Sequence, residues 1–308
     1  MLSFLLSSAL IARVAPIERR VLAMGTHFSV QVGAGSGGAE AAVREVARIE
    51  AACSTWRPDS AWSHLNRAGG QAVPLAPEWL RLLARVQTWS RATSGTFDPA
   101  LMALLQAWGT REGGRIPNPQ ELTAARAASG SALLHLDDQA GTAWLSHPNA
   151  GLEEGGFLKG YALDAARSEA ERRGASSGLL DFGGQLLAWG KPVDVEIAHP
   201  RRRQQAALRV ALEQASLSTS GCSERGRHIL DPRTGQPCPD WGAVSVIAST
   251  GLDADVLSTA LFVMGPQEGL AWAEAHQLAA VFLSHDGAIR MTTAFHAFNP
   301  TFFQKEMP

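Results

Sequence analysis

The chain has 308 residues, 45% of them hydrophobic and 18% charged. That is a globular composition, long enough for a large core, and it excludes a disordered chain. Its 27 basic and 29 acidic residues leave a net charge of −2, so no general field draws nucleic acid, and three scattered cysteines (Cys53, Cys222, Cys238) form neither a disulfide framework nor a zinc spacing.

Residues 1–12 are apolar, but no Lys or Arg precedes them. Twelve residues are too few to span a bilayer, so no transmembrane span is expected. With 13–20 they read either as a degenerate signal or as a first strand ahead of one unit at 21–308. Phe28, Val30 and Val32 alternate as in a strand, and Val43, Val46, Ile49 and Cys53 recur at helical spacing. Ser54-Thr55-Trp56-Arg57-Pro58-Asp59-Ser60 is a loop; by ordinary burial habits Trp56 closes the core beneath it. Trp79, Leu82, Leu83 and Val86 mark a second helix ending near Thr93. Asp98 stands before Pro99 in extended backbone and reads locally as the cap of a helix at 101–108. Residues 111–130 connect to strands near 132–136 and 142–146.

The stretch from Glu153 to Asp164 carries Gly155-Gly156 into a helix that runs to about Arg173. Glycines feeding a helix N-terminus suit an anion. Lys159, in the first turn, sits where the macrodipole disfavours a cation, which points to a task such as holding phosphate. Asp181, ahead of Gly183-Gly184, reads first as a structural acceptor for a loop N–H and otherwise as a site residue. Strands near 193–198 and 207–212 flank the basic run Arg201-Arg202-Arg203, read as a solvated loop. Ser218 to Gly221 then reads as a polar turn able to aim N–H groups at an anion. His228-Ile229-Leu230 reads as a short strand closed by Asp231-Pro232 and Gly235. After a strand at 243–248, Asp255 and Thr259 share a helix face that ends at Gly265. An acid and a hydroxyl there supply hard oxygen donors for Mg²⁺, or, more plainly, a cap and a hydroxyl bonded to its own helix. A helix at 266–276 and a hairpin turned at Asp286-Gly287 finish the chain.

Taken in order, Met24-Gly25-Thr26, Ser54 to Ser60, Gly95 to Pro99, Gly155 to Asp164 and Thr219 to Gly235 resemble the motifs of the ApbE family of FAD:protein FMN transferases. The helix Asp255–Met264 completes the set. The resemblance implies an α+β fold: two interlocked lobes of mainly antiparallel sheet with packed helices and an FAD cleft between them. Strand and helix signals alternating in the first third also fit an α/β fold. By position, Met24, Trp56, Phe97, Asp98, Pro99, Glu153 and Lys159 match residues that line the FAD site. His228 and Ile229 match the part near adenine and phosphates. The Gly156 carbonyl, Asp255 and Thr259 match the Mg²⁺ ligands.

The implied reaction sends a threonine hydroxyl of an acceptor protein, in a Ser/Thr-Ala-Thr-type motif, to the FMN-side phosphorus of FAD and releases AMP. His228, Asp255 and Lys159 are the catalytic candidates. FAD pyrophosphatase activity and FAD binding without catalysis are the alternatives. The family setting implied is periplasmic or membrane-associated, although the first cysteine is Cys53 and no lipobox precedes it. Three positions depart from the family pattern. Glu153-Glu154 replaces the usual Asp-Leu, Val193 to Ile197 replaces Trp-x-Val-Gly-Ile, and Cys222 stands where an acid is common.

Overall fold

The computed structural model describes residues 17–33, 37–222 and 228–303; the apolar start at 1–12 and part of the 218–235 stretch lie outside them. Its backbone is an eight-stranded sheet of Ile17–Ala23, Thr26–Val32, Gly178–Phe182, Gln185–Trp189, Ala215–Gly221, Gly242–Ala248, Ala279–Ser284 and Ile289–Met291. Spatial order follows chain order and every neighbouring pair is antiparallel. The fold is therefore α+β. The alternation in the first third comes from helices inserted between sheet neighbours, not from parallel crossovers.

The helices are α1 (Gly38–Cys53), α2 (Ala61–Arg67), α3 (Pro77–Ala92), α4 (Met102–Ala107), α5 (Pro119–Ala127), α6 (Leu158–Arg172) and α7 (Gly251–Ala275). Helix α7 merges the two helices expected from the sequence. They meet at a kink where Gly265 takes φ 80° ahead of Pro266.

Both faces of the large sheet are covered, and the period of two shows how. Val244, Val246, Ala280 and Phe282 point to α7 and meet Leu257 and Leu261. Ile247, Val281 and Leu283 point the other way, onto Leu208, Val210 and Phe295 of a second layer. That layer is a three-stranded sheet of Val193–Ala198, Ala206–Leu212 and Thr301–Phe302. Strands buried on both sides read as nearly continuous apolar runs. Helices α1 and α6 cover Phe28, Val30, Leu180 and Phe182 at the other end of the sheet. A small sheet of Val73–Pro74, Thr142–Leu145 and Leu134–Asp137 lies beside α2 and α3.

Strand Ile17–Ala23 overlaps the end of the segment read as a signal or a first strand. Glu18, Arg19 and Arg20 are exposed on the edge of the sheet, where charge blunts further pairing. No helix among the described residues is long and apolar enough to cross a membrane.

Candidate active site

A cavity of about 510 Å³ opens where the helical layer, the end of the large sheet and the second layer meet. Two tight hairpin turns form one wall. Met24 and Gly25 take φ 47° and 73°, and Gly183 and Gly184 take 63° and 88°. Two-residue turns at positive φ match strand twist, and glycine meets that demand freely while methionine does not. The Met24 N–H is held by the Glu50 carboxylate at 2.8 Å. The turns sit side by side: Gly183 N donates to His27 O at 3.0 Å. Asp181 accepts from Gly184 N at 2.8 Å, the structural role expected of it.

Ser218 to Gly221 is not a turn. It continues strand Ala215–Gly221, paired with Gly242–Ala248 along its length but with Gln185–Trp189 only as far as Leu217. The neighbouring hairpin has already turned at Gly183-Gly184, so one backbone edge of these residues is left to the cavity they line. Ser220 Oγ lies 2.9 Å from Ser258 Oγ and 3.4 Å from Thr259 Oγ1, and Ser258 Oγ donates to Ser218 Oγ at 3.1 Å.

Helices α6 and α7 meet through glycine. A methyl group on Gly160 would fall 2.2 Å from the Gly251 carbonyl oxygen, and one on Gly251 would fall 2.3 Å from that of Gly160. Asp164 caps the α7 N-terminus from outside, accepting from Gly251 N at 2.6 Å and Leu252 N at 3.0 Å. Burial nevertheless pushes its carboxyl up to about 6. Thr250 is the α7 N-cap, accepting from Asp253 N at 3.1 Å. Asp253 is also taken by Arg85 and Trp89 at 2.7 and 2.8 Å. Asp255 is thus not the cap suggested by its position near the helix start; it faces the cavity and accepts from Gly160 N at 3.0 Å. Its burial drives the carboxyl above the usual range, with the Lys159 charge opposing. Thr259 does bond its own helix, donating to Asp255 O at 3.1 Å.

These groups fit a hard divalent cation. A methyl group on Gly156 would lie 3.4 Å from Thr259 Oγ1, so the glycine stands against the hydroxyl. A buried carboxylate, a hydroxyl and a glycine carbonyl are oxygen donors of the type Mg²⁺ takes, and a cation would relieve the Asp255 desolvation. Among the described residues no cluster of three His, Cys, Asp or Glu offers a softer alternative. Lys159 lines the same corner, its Nζ 3.4 Å from Gly155 O. Gln185, only 3% exposed, also lines the cavity; its Nε2 donates to Gly251 O at 2.9 Å while Oε1 has no partner.

Trp56 stands at the mouth and is 65% exposed, so it does not close the core as local burial habits suggest. Its ring carries the Arg111 guanidinium 4.2 Å from the centroid. Arg111 also donates to Thr55 Oγ1 at 2.6 Å and to Glu153. Glu154 accepts from Thr55 N at 2.9 Å and from Thr55 Oγ1 at 2.5 Å. Burial first, and then the Glu154 charge, raises the Glu153 carboxyl against the opposing pull of Arg111.

Of the residues nominated from sequence, Met24, Trp56, Phe97, Asp98, Glu153, Gly156, Lys159, His228, Ile229, Asp255 and Thr259 all line the cavity. Pro99 does not; it is buried, and its carbonyl accepts from Glu153 N at 2.8 Å. Asp98 lines the cavity but does not cap α4, whose N-cap is Leu101. Its carboxylate instead accepts from Ala100 N at 2.8 Å, Ser131 N at 2.7 Å and Ser90 Oγ at 3.1 Å, and burial raises it. His228 and Ile229 precede the short strand Leu230–Asp231, which pairs with Gln236–Pro237, so the strand begins two residues later than expected. Arg203, from the run read as solvated, reaches the cavity wall. Sequence reasoning missed Arg111 and Gln185 as wall residues. Two adjacent acids before Gly155-Gly156 were a signal that a cation had to come from elsewhere in the chain.

The model of the ApbE family matches residues 24–282. A protein of Treponema pallidum named FAD:protein FMN transferase is 31% identical, over 91% of this chain and 87% of its own. A Klebsiella pneumoniae protein of the same name is 29% identical over 86% and 83%. The crystal structure of Pseudomonas stutzeri flavinyl transferase ApbE in its apo form superposes with TM-score 0.83 at 30% identity, covering 92% of this chain and 96% of that one. The ApbE protein of Thermotoga maritima gives 0.86 at 27% identity, covering 92% and 99%. With a family match spanning the whole cavity and relatives that cover nearly the whole chain, this protein belongs to the ApbE family.

Proposed function

We propose that the protein transfers FMN from FAD to a threonine hydroxyl of an acceptor protein, with Mg²⁺, releasing AMP. The observation that carries this reading is the joining, in one cavity, of an exposed indole at the mouth with a corner of hard oxygen donors and a lysine. The first suits a flat aromatic ring; the second suits a pyrophosphate with its cation.

Asp255, Thr259 and the Gly156 carbonyl would hold Mg²⁺, which supplies neutralisation of charge on the phosphate oxygens. Lys159 adds a point charge beside them, and the one-sided edge of Ser218 to Gly221 offers backbone donors. The bond formed joins threonine Oγ to the FMN-side phosphorus. The bond broken joins that phosphorus to the bridging oxygen, which leaves with AMP. His228 is assigned to take the hydroxyl proton, and the remaining work is positioning. The acceptor motif is the Ser/Thr-Ala-Thr type implied by the family.

The test is incubation with FAD, Mg²⁺ and a peptide carrying that motif, following AMP and peptide mass together. AMP with a peptide heavier by FMN less water supports the transferase. AMP with FMN free in solution, and the peptide unchanged, favours water as the nucleophile. FAD bound without AMP would leave a flavin-binding protein and sink the catalytic reading.

A further inference from the structure

Arg111 comes from the connection after α4, far in sequence from everything it touches. It nevertheless makes three contacts at the cavity mouth: the Trp56 ring at 4.2 Å, Thr55 Oγ1 at 2.6 Å, and the Glu153 carboxylate. Two of the three partners are themselves fixed. Thr55 is held by Glu154 through both its N–H and its hydroxyl. Glu153 is held by its own backbone N–H on Pro99 O and by accepting from Gly155 N at 3.2 Å. Trp56 is the exception: its backbone N–H reaches Ser54 Oγ at 3.3 Å, but its ring is 65% exposed. A large exposed ring has no reason to hold one orientation unless something lies on its face, and here that is a guanidinium that a carboxylate and a hydroxyl hold in place. Arg111 lines both the cavity and a neighbouring cleft of about 640 Å³, which Thr55 lines as well, so the guanidinium stands between two hollows.

We propose that Arg111 is a positioning residue: it clamps the Trp56 indole so that the ring forms a fixed wall for the flat ring of the bound flavin. The assignment rests on the flavin reading above. Glu153 and Glu154 belong to the same device. Glu153 fixes the guanidinium, and Glu154 fixes the threonine that the guanidinium also holds. Arg111 does not touch the reacting phosphorus, so its loss acts on how FAD is bound and oriented before it acts on turnover.

The test uses the full chain with R111A, R111K, W56A and the double variant R111A/W56A. FAD affinity is read from flavin fluorescence, and Trp56 exposure from acrylamide quenching of indole emission, with W56F subtracted. R111A is expected to weaken FAD binding about 5- to 30-fold, the factor a partly desolvated cation–π contact supports. Turnover at saturating FAD should stay within about threefold, a KM effect in the sense of lost ground-state binding. Trp56 should become more accessible to quencher even without FAD. R111K, which keeps the charge beside Glu153 but loses the planar stack, should fall between R111A and the unmodified protein. The double variant should bind no more weakly than W56A alone, since the two residues act as one. Unchanged FAD affinity in R111A, or losses that multiply in the double variant, would overturn the assignment while leaving the flavin reading intact. If the unmodified protein binds no FAD, the flavin reading falls and the assignment falls with it. If R111A folds poorly, the R111K affinity and quenching decide the matter on their own.

Discussion

Gly160 and Gly251 touch backbone to backbone, each occupying the space where the other's side chain would begin. That contact sets the separation of α6 and α7, and so the distance between Lys159 on one and Asp255 on the other. G160A adds a methyl that the facing carbonyl cannot evade. The overpacking should lower stability by about 1–3 kcal/mol, although alanine is the better helix former. AMP release should fall more than the melting temperature suggests, because the two site helices move apart. A variant with normal AMP release and an unchanged melting temperature would show that the helices are not pinned there.

Asp255 is a buried carboxyl whose charged form is penalised by desolvation. D255N should raise the melting temperature in metal-free buffer, since it removes the desolvation cost that lifts the carboxyl. It should also abolish any rise that Mg²⁺ gives the unmodified protein, and lower turnover by about 10²–10³. Differential scanning with and without Mg²⁺ checks the first two effects. A D255N protein still stabilised by Mg²⁺ to the same extent would remove Asp255 from the cation site.

Lys159 lies in the first turn of α6, where its charge opposes the helix dipole. K159M should therefore leave stability within about 0.5 kcal/mol of the unmodified protein. It should weaken FAD binding by about tenfold or more, the value of a hydrogen bond to a charged group. Fluorescence titration separates the two, and equal FAD affinity would refute the phosphate role.

Asp164 gives the fold a pH signature. Its carboxyl stands near 6 when folded against 3.8 as a free side chain. The folded protein therefore keeps the proton to higher pH than the unfolded chain. The contribution of Asp164 to stability is greatest below pH 4 and is lost as pH rises toward 6, by about 3 kcal/mol in all. In D164N this slope should vanish. Urea unfolding of both proteins at pH 4, 5, 6 and 7 measures the difference, and parallel profiles would contradict it.

Local signals made much of the fold legible. The alternation at Phe28, Val30 and Val32 and the helical spacing from Val43 to Cys53 each depend on a single period, and both elements formed where those periods place them. Ser218 to Gly221 misled because its composition suits a turn, while pairing with Gly242–Ala248 makes it a strand; tertiary context overrides propensity there. Trp56 and Asp98 misled for a related reason. Whether a ring is buried, or which N–H groups a carboxylate accepts, depends on residues distant in sequence such as Arg111 and Ser131. Many of the wall residues were found from motif resemblance, but Arg111 and the bonds that join distant segments, such as Thr55 to Glu154 and Arg111 to Glu153, were not, because nothing local in the sequence marks them.

The strand Thr26–Val32 pairs with Gly178–Phe182, and all of α1 to α6 is inserted between these two neighbours. The Met24 turn and the Gly183 turn meet only once that loop has closed, and Asp255 joins them only when α7 has docked as well. Closing so long a loop opposes folding entropically, and pairings this distant in sequence form slowly. The complete cavity needs segments from both halves of the chain. A ligand gripping the finished cavity ties together segments from Met24 to Thr259, and so holds the molecule against global unfolding rather than against the opening of one loop.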